Sequence, residues 1–179
     1  MLRRVTLKDG RTVILRSIKW RDLDGILDVF NSVAEEEEMI KYLGIIEKRK
    51  KEDYVKVFSR IMADVELGKE IRIVAEAENR IVGYVSVKVD GGSFRHRAWL
   101  GILVKKEFRD LGLGTELMKA VIEESRRRGL KLLLLETSSL NVRAIRVFKK
   151  VGFREVGRVP MGLRLNNKFV DTIIMALVL

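Results

Sequence analysis

The segment Arg109–Thr115, with the sequence Arg-Asp-Leu-Gly-Leu-Gly-Thr, has the residue types and spacing of an anion-binding loop. Gly112 and Gly114 carry no Cβ atom, so a ligand can come close to the backbone amides around them. The amphipathic pattern that begins at Gly112 predicts a helix, whose first amides are unpaired and whose dipole is positive at this end. Arg109 adds charge and Thr115 adds a hydroxyl donor. The segment therefore predicts a phosphate-binding site, although its glycines are also typical of a plain tight loop.

Two better-known phosphate motifs are excluded, and the ligand class is open at this point. A Walker loop would continue with Gly-Lys-Ser/Thr, which does not follow Gly114. A dinucleotide fingerprint follows a parallel sheet, whereas the strands before this loop are predicted to be antiparallel. Lys and Arg outnumber Asp and Glu by 36 to 25, a net charge of +11 that favours anionic partners. A polyphosphate cofactor, a nucleic acid and an acidic protein would all suit this charge.

The elements that must position the loop are predicted from the spacing of apolar residues. The predicted helices are Trp20–Ala34 with Asp22 as its cap, Glu52–Leu67, Gly112–Arg128 and Asn141–Val151. The predicted strands are Arg11–Arg16, Ile71–Glu76, Arg80–Asp90, Phe94–Val104, Lys131–Thr137, Glu155–Leu165 and Lys168–Val178. Their order predicts a mixed α/β (α+β) domain with an antiparallel meander, a β-α-β unit and a closing hairpin that turns at Asn166-Asn167.

The rest of the composition limits the function classes. The 179 residues fit one domain, residues 1–179. The chain has no cysteine and a single histidine, His96, which excludes disulfides and multi-histidine metal sites, so no metal is expected. No apolar run reaches the roughly 18 residues of a membrane span. No secretory segment follows the start, so we expect a soluble, cytoplasmic protein without a membrane partner.

Two motifs, in order and around a leucine-rich strand, carry a family resemblance. The first is Arg109-x-x-Gly112-x-Gly114, and the second is Asn141-x-x-Ala144-x-x-x-Phe148-x-x-x-Gly152-Phe153. Over most of its length the chain resembles the GCN5-related N-acetyltransferase (GNAT) superfamily. The resemblance implies a mixed, mostly antiparallel sheet of about seven strands flanked by about four helices and splayed between strands 4 and 5. It also implies an acetyl-CoA-dependent N-acetyltransferase.

The same resemblance implies how the co-substrate acetyl-CoA is held. The loop amides would bind its pyrophosphate, and the pantetheine arm would pair with strand backbone inside the splay. The amide of Val104 would also steady the oxyanion of the reaction. Asn141 is at the same time typical of a helix N-cap, and the two roles are compatible. The implied cofactor-binding residues are Leu103, Val104, Arg109, Gly112, Leu113, Gly114, Thr115, Asn141 and Phe148.

Transfer to a primary amine requires a base and an acid. Glu136, after the run Leu132–Leu135, is the predicted base: it resembles the glutamate of the branch that acetylates a ribosomal protein's N-terminal alanine, and apolar walls would raise its pKa. Its alternative role is a polar residue where a strand leaves the core. The acidic run Glu35–Glu38 is the second candidate source of the base, and His96 is a less favoured one. Phe148 stands where the family usually has a tyrosine that acts as the general acid and protonates the thiolate. The proton for the thiolate must then come from water or from another tyrosine such as Tyr84, or the thiolate must leave unprotonated.

The acceptor is a small amine or a peptide amine. Glu37 and Glu38 belong to the acidic run Glu35–Glu38, which lies where the family's first interhelical loop borders the acceptor, and they would bind a cationic substrate. Such runs are otherwise solvated faces. The turn Asn166–Asp171 would meet the acceptor or a second subunit of a homodimer. Two alternatives lack catalysis: an acyl-CoA-binding sensor, and a basic nucleic-acid-binding module, which is disfavoured because no known nucleic-acid motif is present.

Overall fold

The computed structural model describes residues 2–43, 47–165 and 167–179. The strands are β1 (Leu2–Thr6), β2 (Thr12–Ser17), β3 (Glu70–Ala77), β4 (Arg80–Val89), β5 (Arg97–Val104), β6 (Leu132–Ser138), β7 (Arg154–Leu165) and β8 (Lys168–Val178). The helices are α1 (Leu23–Ala34), α2 (Glu37–Leu43), α3 (Lys51–Glu66), α4 (Leu113–Arg127) and α5 (Val142–Lys150). Short 3-10 turns lie at Trp20–Asp22, Gly92–Phe94 and Lys106–Phe108.

The strands form one eight-stranded sheet in the order β1-β2-β3-β4-β5-β6-β8-β7. Neighbouring strands are antiparallel except β5 and β6, which are parallel. The predicted mixed, mostly antiparallel sheet is therefore confirmed, with one strand more than expected. The additional strand is β1, at the sheet edge, where no side chain is fully buried and Arg3 and Arg4 interrupt the apolar pattern.

The four predicted helices are confirmed to within a few residues, and α2 is an addition. It begins in the acidic run that was expected to be a loop, because Glu37 and Glu38 form its first turn, a favourable place for carboxylates. The strand predicted to begin at Phe94 begins at Arg97, since Gly92–Phe94 forms a 3-10 turn. In the closing hairpin, the predicted turn residue Asn166 lies outside the described residues.

Asp22 occupies the predicted cap position of the first helix, but its carboxylate caps the preceding 3-10 turn Trp20–Asp22 through the Lys19 amide rather than α1 itself. Asp22 precedes α1, but its side chain makes no capping hydrogen bond to that helix. Its carboxylate instead accepts hydrogen bonds from Arg16 at 2.7 and 2.8 Å and from the Lys19 amide at 2.7 Å. Arg16 is buried and needs an anionic partner, so it competes successfully for this carboxylate.

Both faces of the sheet are packed. The apolar stripe predicted on α4 is buried on one face, formed by Leu113, Leu117, Met118, Val121 and Ile122. Helices α1 and α3 cover β3 and β4 on the opposite face through a second cluster that includes Ile26, Phe58 and Tyr84. The leucines of β6 are buried from both sides, as predicted. Within the described ranges, no helix is both long and apolar enough to cross a membrane.

The parallel pair β5 and β6 separates part of the way along its length. Pairing is confined to Arg97–Trp99 of β5 and Leu132–Leu134 of β6. Beyond Trp99, β5 continues to Val104 beside β4, while β6 continues beside β8. The splay expected between the fourth and fifth predicted strands is thus present, and it leaves one backbone edge of β5 open.

Candidate functional site

The gap between β5 and β6 opens into a cavity of about 320 Å³. It is bounded by β5, by the loop before α4, by one face of α5, and by Val33 and Met39 from the α1–α2 region. Every residue predicted to bind the cofactor lines this cavity except Leu113. The predicted residues that line it are Leu103, Val104, Arg109, Gly112, Gly114, Thr115, Asn141 and Phe148.

Leu113 contributes to the site through its backbone alone. Its side chain is fully buried in the core under α4 and anchors the first turn of that helix to the sheet. Its amide belongs to the first turn of α4, where N–H groups have no partner within the helix. The first turn therefore presents amides of Leu113, Gly114 and Thr115 at the positive end of the helix dipole.

The presence of glycine has a different explanation at each of the two loop positions. Gly112 has a φ of 94°, a left-handed conformation that glycine adopts without strain. Gly114 has no positive φ, and a Cβ atom placed on it would meet no heavy atom within 4 Å outside the adjacent residues and the local backbone of α4. Neither backbone conformation nor internal packing therefore explains glycine at position 114. The missing side chain leaves free space on the cavity side of the first helical turn.

The backbone of Val104 faces the gap. The amide of Lys105 donates to the carbonyl of Val82 on β4 at 3.0 Å. Because successive residues of an antiparallel strand bond alternately to the neighbour and away from it, the N–H and C=O of Val104 point into the gap. Those of Ile102 do the same by register, whereas Leu103 turns its carbonyl toward Gly83 of β4. Leu103 therefore lines the cavity with its side chain, and Ile102 offers backbone groups that were not predicted.

Arg109 is engaged within the protein rather than free. Its Nε donates to the carbonyl oxygen of Val104 at 2.8 Å. Its Nη1 and Nη2 donate to the two carboxylate oxygens of Glu36 at 2.5 and 2.7 Å. The side chains of Arg109 and Glu36 are only 11% and 16% exposed. Arg109 thus braces the loop against the α1–α2 connection, and its charge is largely neutralised.

A basic rim surrounds the cavity and was not predicted as part of the site. It consists of Lys8, Arg143, Arg146 and Lys150. The three α5 members recur at three- and four-residue spacing on one helix face, a signal that the sequence did contain. Arg143 also pairs with Asp110 of the loop at 2.8 Å. Asp110 is the one acidic side chain among the described lining residues, so the cavity favours an anion.

Asn141 and Phe148 occupy the α5 wall of the cavity. Asn141 caps α5, as its alternative role predicted: its Oδ1 accepts from the Ala144 amide at 3.2 Å, and its Nδ2 donates to Thr137 Oγ1 at 3.3 Å. One Nδ2 hydrogen is left for a ligand. Phe148 is buried and packs against Phe153, with ring centroids 6.3 Å apart. It shapes the cavity without offering a proton.

Glu136 lies on the opposite face of the sheet from α4 and does not line the cavity. Side chains alternate along β6, so Glu136 shares its face with Trp99 and Gly101 of β5, at the point where the two strands separate. Trp99 is 37% exposed and Glu136 is also exposed. The Thr172 hydroxyl donates a hydrogen bond to the Glu136 carboxylate. The apolar walls expected around this carboxylate are therefore not closed.

The remaining predicted residues lie apart from the cavity. Glu37 and Glu38 are exposed on the first turn of α2, and the Tyr42 hydroxyl donates to Glu38 at 2.9 Å. His96 is exposed at the start of β5. Tyr84 is buried under α1 and α3, and burial raises its pKa to about 12, so its hydroxyl stays protonated.

The chain is similar to known acetyltransferases both as a family and in individual sequences. A family model described as the acetyltransferase (GNAT) family matches residues 30–153. An L-methionine sulfoximine/L-methionine sulfone acetyltransferase of Pseudomonas aeruginosa is 27% identical over 114 residues, covering 62% of this chain and 65% of that protein. An N-alpha-acetyltransferase of Sulfurisphaera tokodaii is 33% identical over 94 residues, covering 46% and 56%. A probable N-acetyltransferase of Xenopus laevis, camello, is 33% identical over 82 residues, covering 46% and 37%. The matches thus span 37% to 65% of these relatives' own lengths.

Solved structures share the fold over nearly the whole chain. A ribosomal-protein-alanine N-acetyltransferase from Brucella melitensis superposes with a TM-score of 0.80 at 24% identity, covering 92% of this chain and 99% of that one. A phosphinothricin acetyltransferase from Sinorhizobium meliloti, in complex with AcCoA, gives 0.81 at 17% identity, covering 98% and 89%. At these identities the likeness supports the fold.

Proposed function

This chain belongs to the acetyltransferase (GNAT) family, and we propose that it transfers the acetyl group of acetyl-CoA to a primary amine. The observation that carries the proposal is the cavity in the β5–β6 gap, which combines an open strand edge, a glycine-containing helix start and a basic rim. An elongated ligand with phosphates at one end and a reactive thioester at the other suits this combination.

The phosphate end of acetyl-CoA is assigned to the first turn of α4 and the basic rim. The amides of Leu113, Gly114 and Thr115 can donate to the pyrophosphate because they lack helical partners. The absent side chain at Gly114 gives the phosphate room to approach them. The positive charges of the rim attract the phosphate group of acetyl-CoA that is not part of the pyrophosphate. Arg109, neutralised by Glu36, is assigned no direct phosphate contact.

The pantetheine arm is assigned to the open edge of β5. The backbone groups of Ile102 and Val104 face the gap and can pair with the amides of the arm as a neighbouring strand would. The remaining Nδ2 hydrogen of Asn141 can donate to the arm from the opposite wall. This arrangement brings the thioester to the splay beside Phe148.

The chemical step is nucleophilic attack of the neutral amine on the thioester carbonyl carbon. The Val104 amide, directed into the gap, donates to the oxyanion that forms. Collapse breaks the carbon–sulfur bond and yields the acetylated amine and the CoA thiolate. The amine proton passes to Glu136, directly or through water, and solvent protonates the thiolate because Phe148 cannot. Tyr84 is buried away from the cavity lining and is not assigned this role.

The acceptor amine is assigned to the sheet face opposite α4. The basic rim and the cofactor occupy one side of the splay, so the amine approaches from the side of Trp99, Gly101 and Glu136. One relative is an L-methionine sulfoximine/L-methionine sulfone acetyltransferase and another is an N-alpha-acetyltransferase. Glu37 and Glu38, exposed on α2, would favour a small or peptide amine of cationic character.

The proposal is tested by following thiol release from acetyl-CoA with a panel of primary amines. The chain contains no cysteine, so a thiol reagent reports free CoA alone. We expect release with at least one primary amine, an acetylated product by mass spectrometry, and no release with the matching tertiary amine. Binding of acetyl-CoA without release for any amine would favour the sensor alternative instead.

A further inference from the structure

The contact between Glu36 and Arg109 joins the two walls of the cleft. Glu36 lies in the connection between α1 and α2, where its amide donates to the Val33 carbonyl at 3.2 Å and its carbonyl accepts from the Met39 amide at 2.9 Å. Val33 and Met39 both line the cavity. Arg109 belongs to the loop between β5 and α4, 73 positions further along the chain. The ion pair therefore ties the phosphate loop to the helix that borders the acceptor side.

The ion pair also reaches the reacting atoms through Val104. The Arg109 Nε donates to the Val104 carbonyl at 2.8 Å, in the gap where the Val104 amide also points. The Glu36 carboxylate holds the other two nitrogens of the planar guanidinium in a bidentate contact at 2.5 and 2.7 Å, which fixes the orientation of the Arg109 side chain. Both side chains are mostly shielded from water, so the pair is screened less than a surface pair.

We propose that Glu36 is a positioning residue for the transfer reaction. Its carboxylate holds Arg109 on the Val104 carbonyl and thereby fixes the end of β5 whose amide donates to the oxyanion. It also neutralises Arg109, so that phosphate binding depends on the α4 amides and the basic rim. This inference rests on the proposed function and concerns the same site.

The proposal predicts that removing the Glu36 charge changes binding and turnover in opposite directions. Glu36→Gln takes a negative charge away from a site for a polyanion and frees Arg109 to turn toward it. We expect the Kd for acetyl-CoA to fall about two- to fivefold. The end of β5 loses its brace, so we expect kcat to fall about tenfold or more, toward the about 100-fold loss that removal of an oxyanion donor causes. A purely structural role would weaken binding and turnover together.

Glu35→Gln is the matched control. Glu35 is the preceding residue, its side chain is 55% exposed, and it pairs with Lys48 away from the cavity. The substitution Glu35→Gln removes the same charge from the same segment, so any general electrostatic effect on acetyl-CoA binding appears in both variants. We expect kcat of Glu35→Gln to stay within about twofold of the unaltered chain, as for most surface substitutions.

The test measures calorimetric Kd for acetyl-CoA and steady-state kcat and KM for both variants, with thermal unfolding as a check of folding. A tighter Kd together with a lower kcat in Glu36→Gln, beyond any change seen in Glu35→Gln, supports the proposal. An unchanged or weaker Kd, or a kcat equal to that of Glu35→Gln, overturns it. If Glu36→Gln is unfolded, Arg109→Lys replaces it: this keeps the charge and loses the bidentate contact, so an unchanged kcat overturns the proposal. Failure of the unaltered chain to bind acetyl-CoA would instead overturn the proposed function.

Discussion

Among the residues assigned to the reaction, Glu136 has the least enclosed surroundings. It is exposed beside the splay and is held by the Thr172 hydroxyl rather than by apolar walls. Its position on the acceptor face, not a hydrophobic pocket, is therefore what supports its role as the base. A carboxylate in this setting can take the amine proton through an intervening water.

Replacing Glu136 by Gln should lower kcat by about 100-fold near neutral pH, because general-base catalysis typically contributes that much or more. The Kd for acetyl-CoA should not change, since Glu136 does not line the cavity. Steady-state kinetics with the best amine of the panel measure the effect. Glu78→Gln, an exposed change at the β3–β4 turn, serves as control. A kcat within twofold of the unaltered chain would remove Glu136 from the mechanism.

Phe148→Tyr should raise kcat several-fold, because it restores a proton donor where the thiolate leaves. Phe148 lines the cavity and its ring packs against Phe153, so the prediction requires that the added hydroxyl be directed into the cavity. The measurement is the kcat–pH profile of the variant beside that of Phe94→Tyr, an exposed position. An unchanged or lower kcat at every pH would show that protonation of the thiolate does not limit the reaction.

The residues that the family resemblance named as cofactor-binding line one cavity, with the exception of Leu113, but the partners of the charged residues were not predicted. Gly112, Gly114 and Asn141 lie where the motif implied, because local helix starts decide their geometry. Arg109 was expected to carry free charge, and its pairing with Glu36 joins positions 73 residues apart that no local pattern relates. The acidic run was recognised, yet the member that reaches the site is Glu36 rather than Glu37 or Glu38.

At the scale of elements, α5 combines a structural and a binding role in its capping residue. Asn141→Ala removes the cap and the Thr137 contact, so we expect the free energy of unfolding to fall by about 1 kcal/mol. Urea denaturation measures this change. Asn141→Ser, which keeps a capping oxygen, should recover most of the stability but not the acetyl-CoA affinity. Full recovery of affinity by Ser would show that Asn141 acts only as a cap.

The C-terminal turn of α4 should make stability depend on acidic pH. Hydrogen bonds from Arg127, and then from Arg128, lower the pKa of Glu124 to about 2 from its ordinary 4.5. Because the pKa of Glu124 is lower in the folded state, its ionised carboxylate stabilises the fold at pH values above the ordinary pKa of 4.5. This contribution disappears as the pH falls toward 2. Glu124→Gln should therefore cost up to about 1 kcal/mol at neutral pH, given the exposed Arg127, and almost nothing near pH 2. Denaturation curves at several pH values, with Glu123→Gln as control, would contradict this if the difference did not shrink.

Elements with strong apolar periodicity were predicted, and those without it were not. Helix α4 and strand β6 bury continuous apolar stripes, so their apolar patterns predict both elements from the sequence. Strand β1 pairs at the sheet edge with Arg3 and Arg4 in its middle, and α2 has two glutamates in its first turn. Both depend on tertiary neighbours more than on their own pattern.

For the whole molecule, the net charge of +11 is partly explained by the cavity. The rim residues Lys8, Arg143, Arg146 and Lys150 collect positive charge around one opening, next to the first turn of α4. Net charge alone could not distinguish a cofactor from a nucleic acid, because it does not state where the charges lie. The fold supplies this information by bringing α5 beside the loop before α4.

The central claim is that acetyl-CoA binds in the β5–β6 gap with its pyrophosphate on the first turn of α4. Calorimetric titration of acetyl-CoA into the unaltered chain, Gly114→Val and Gly91→Val tests it most directly. Outside the adjacent residues and the local backbone of its own helix, a Cβ at either glycine meets no heavy atom within 4 Å, and neither has a positive φ, so both variants should fold. We predict that Gly114→Val loses affinity by about two orders of magnitude, about 2.8 kcal/mol, while Gly91→Val binds normally. Undiminished binding by Gly114→Val would contradict the account.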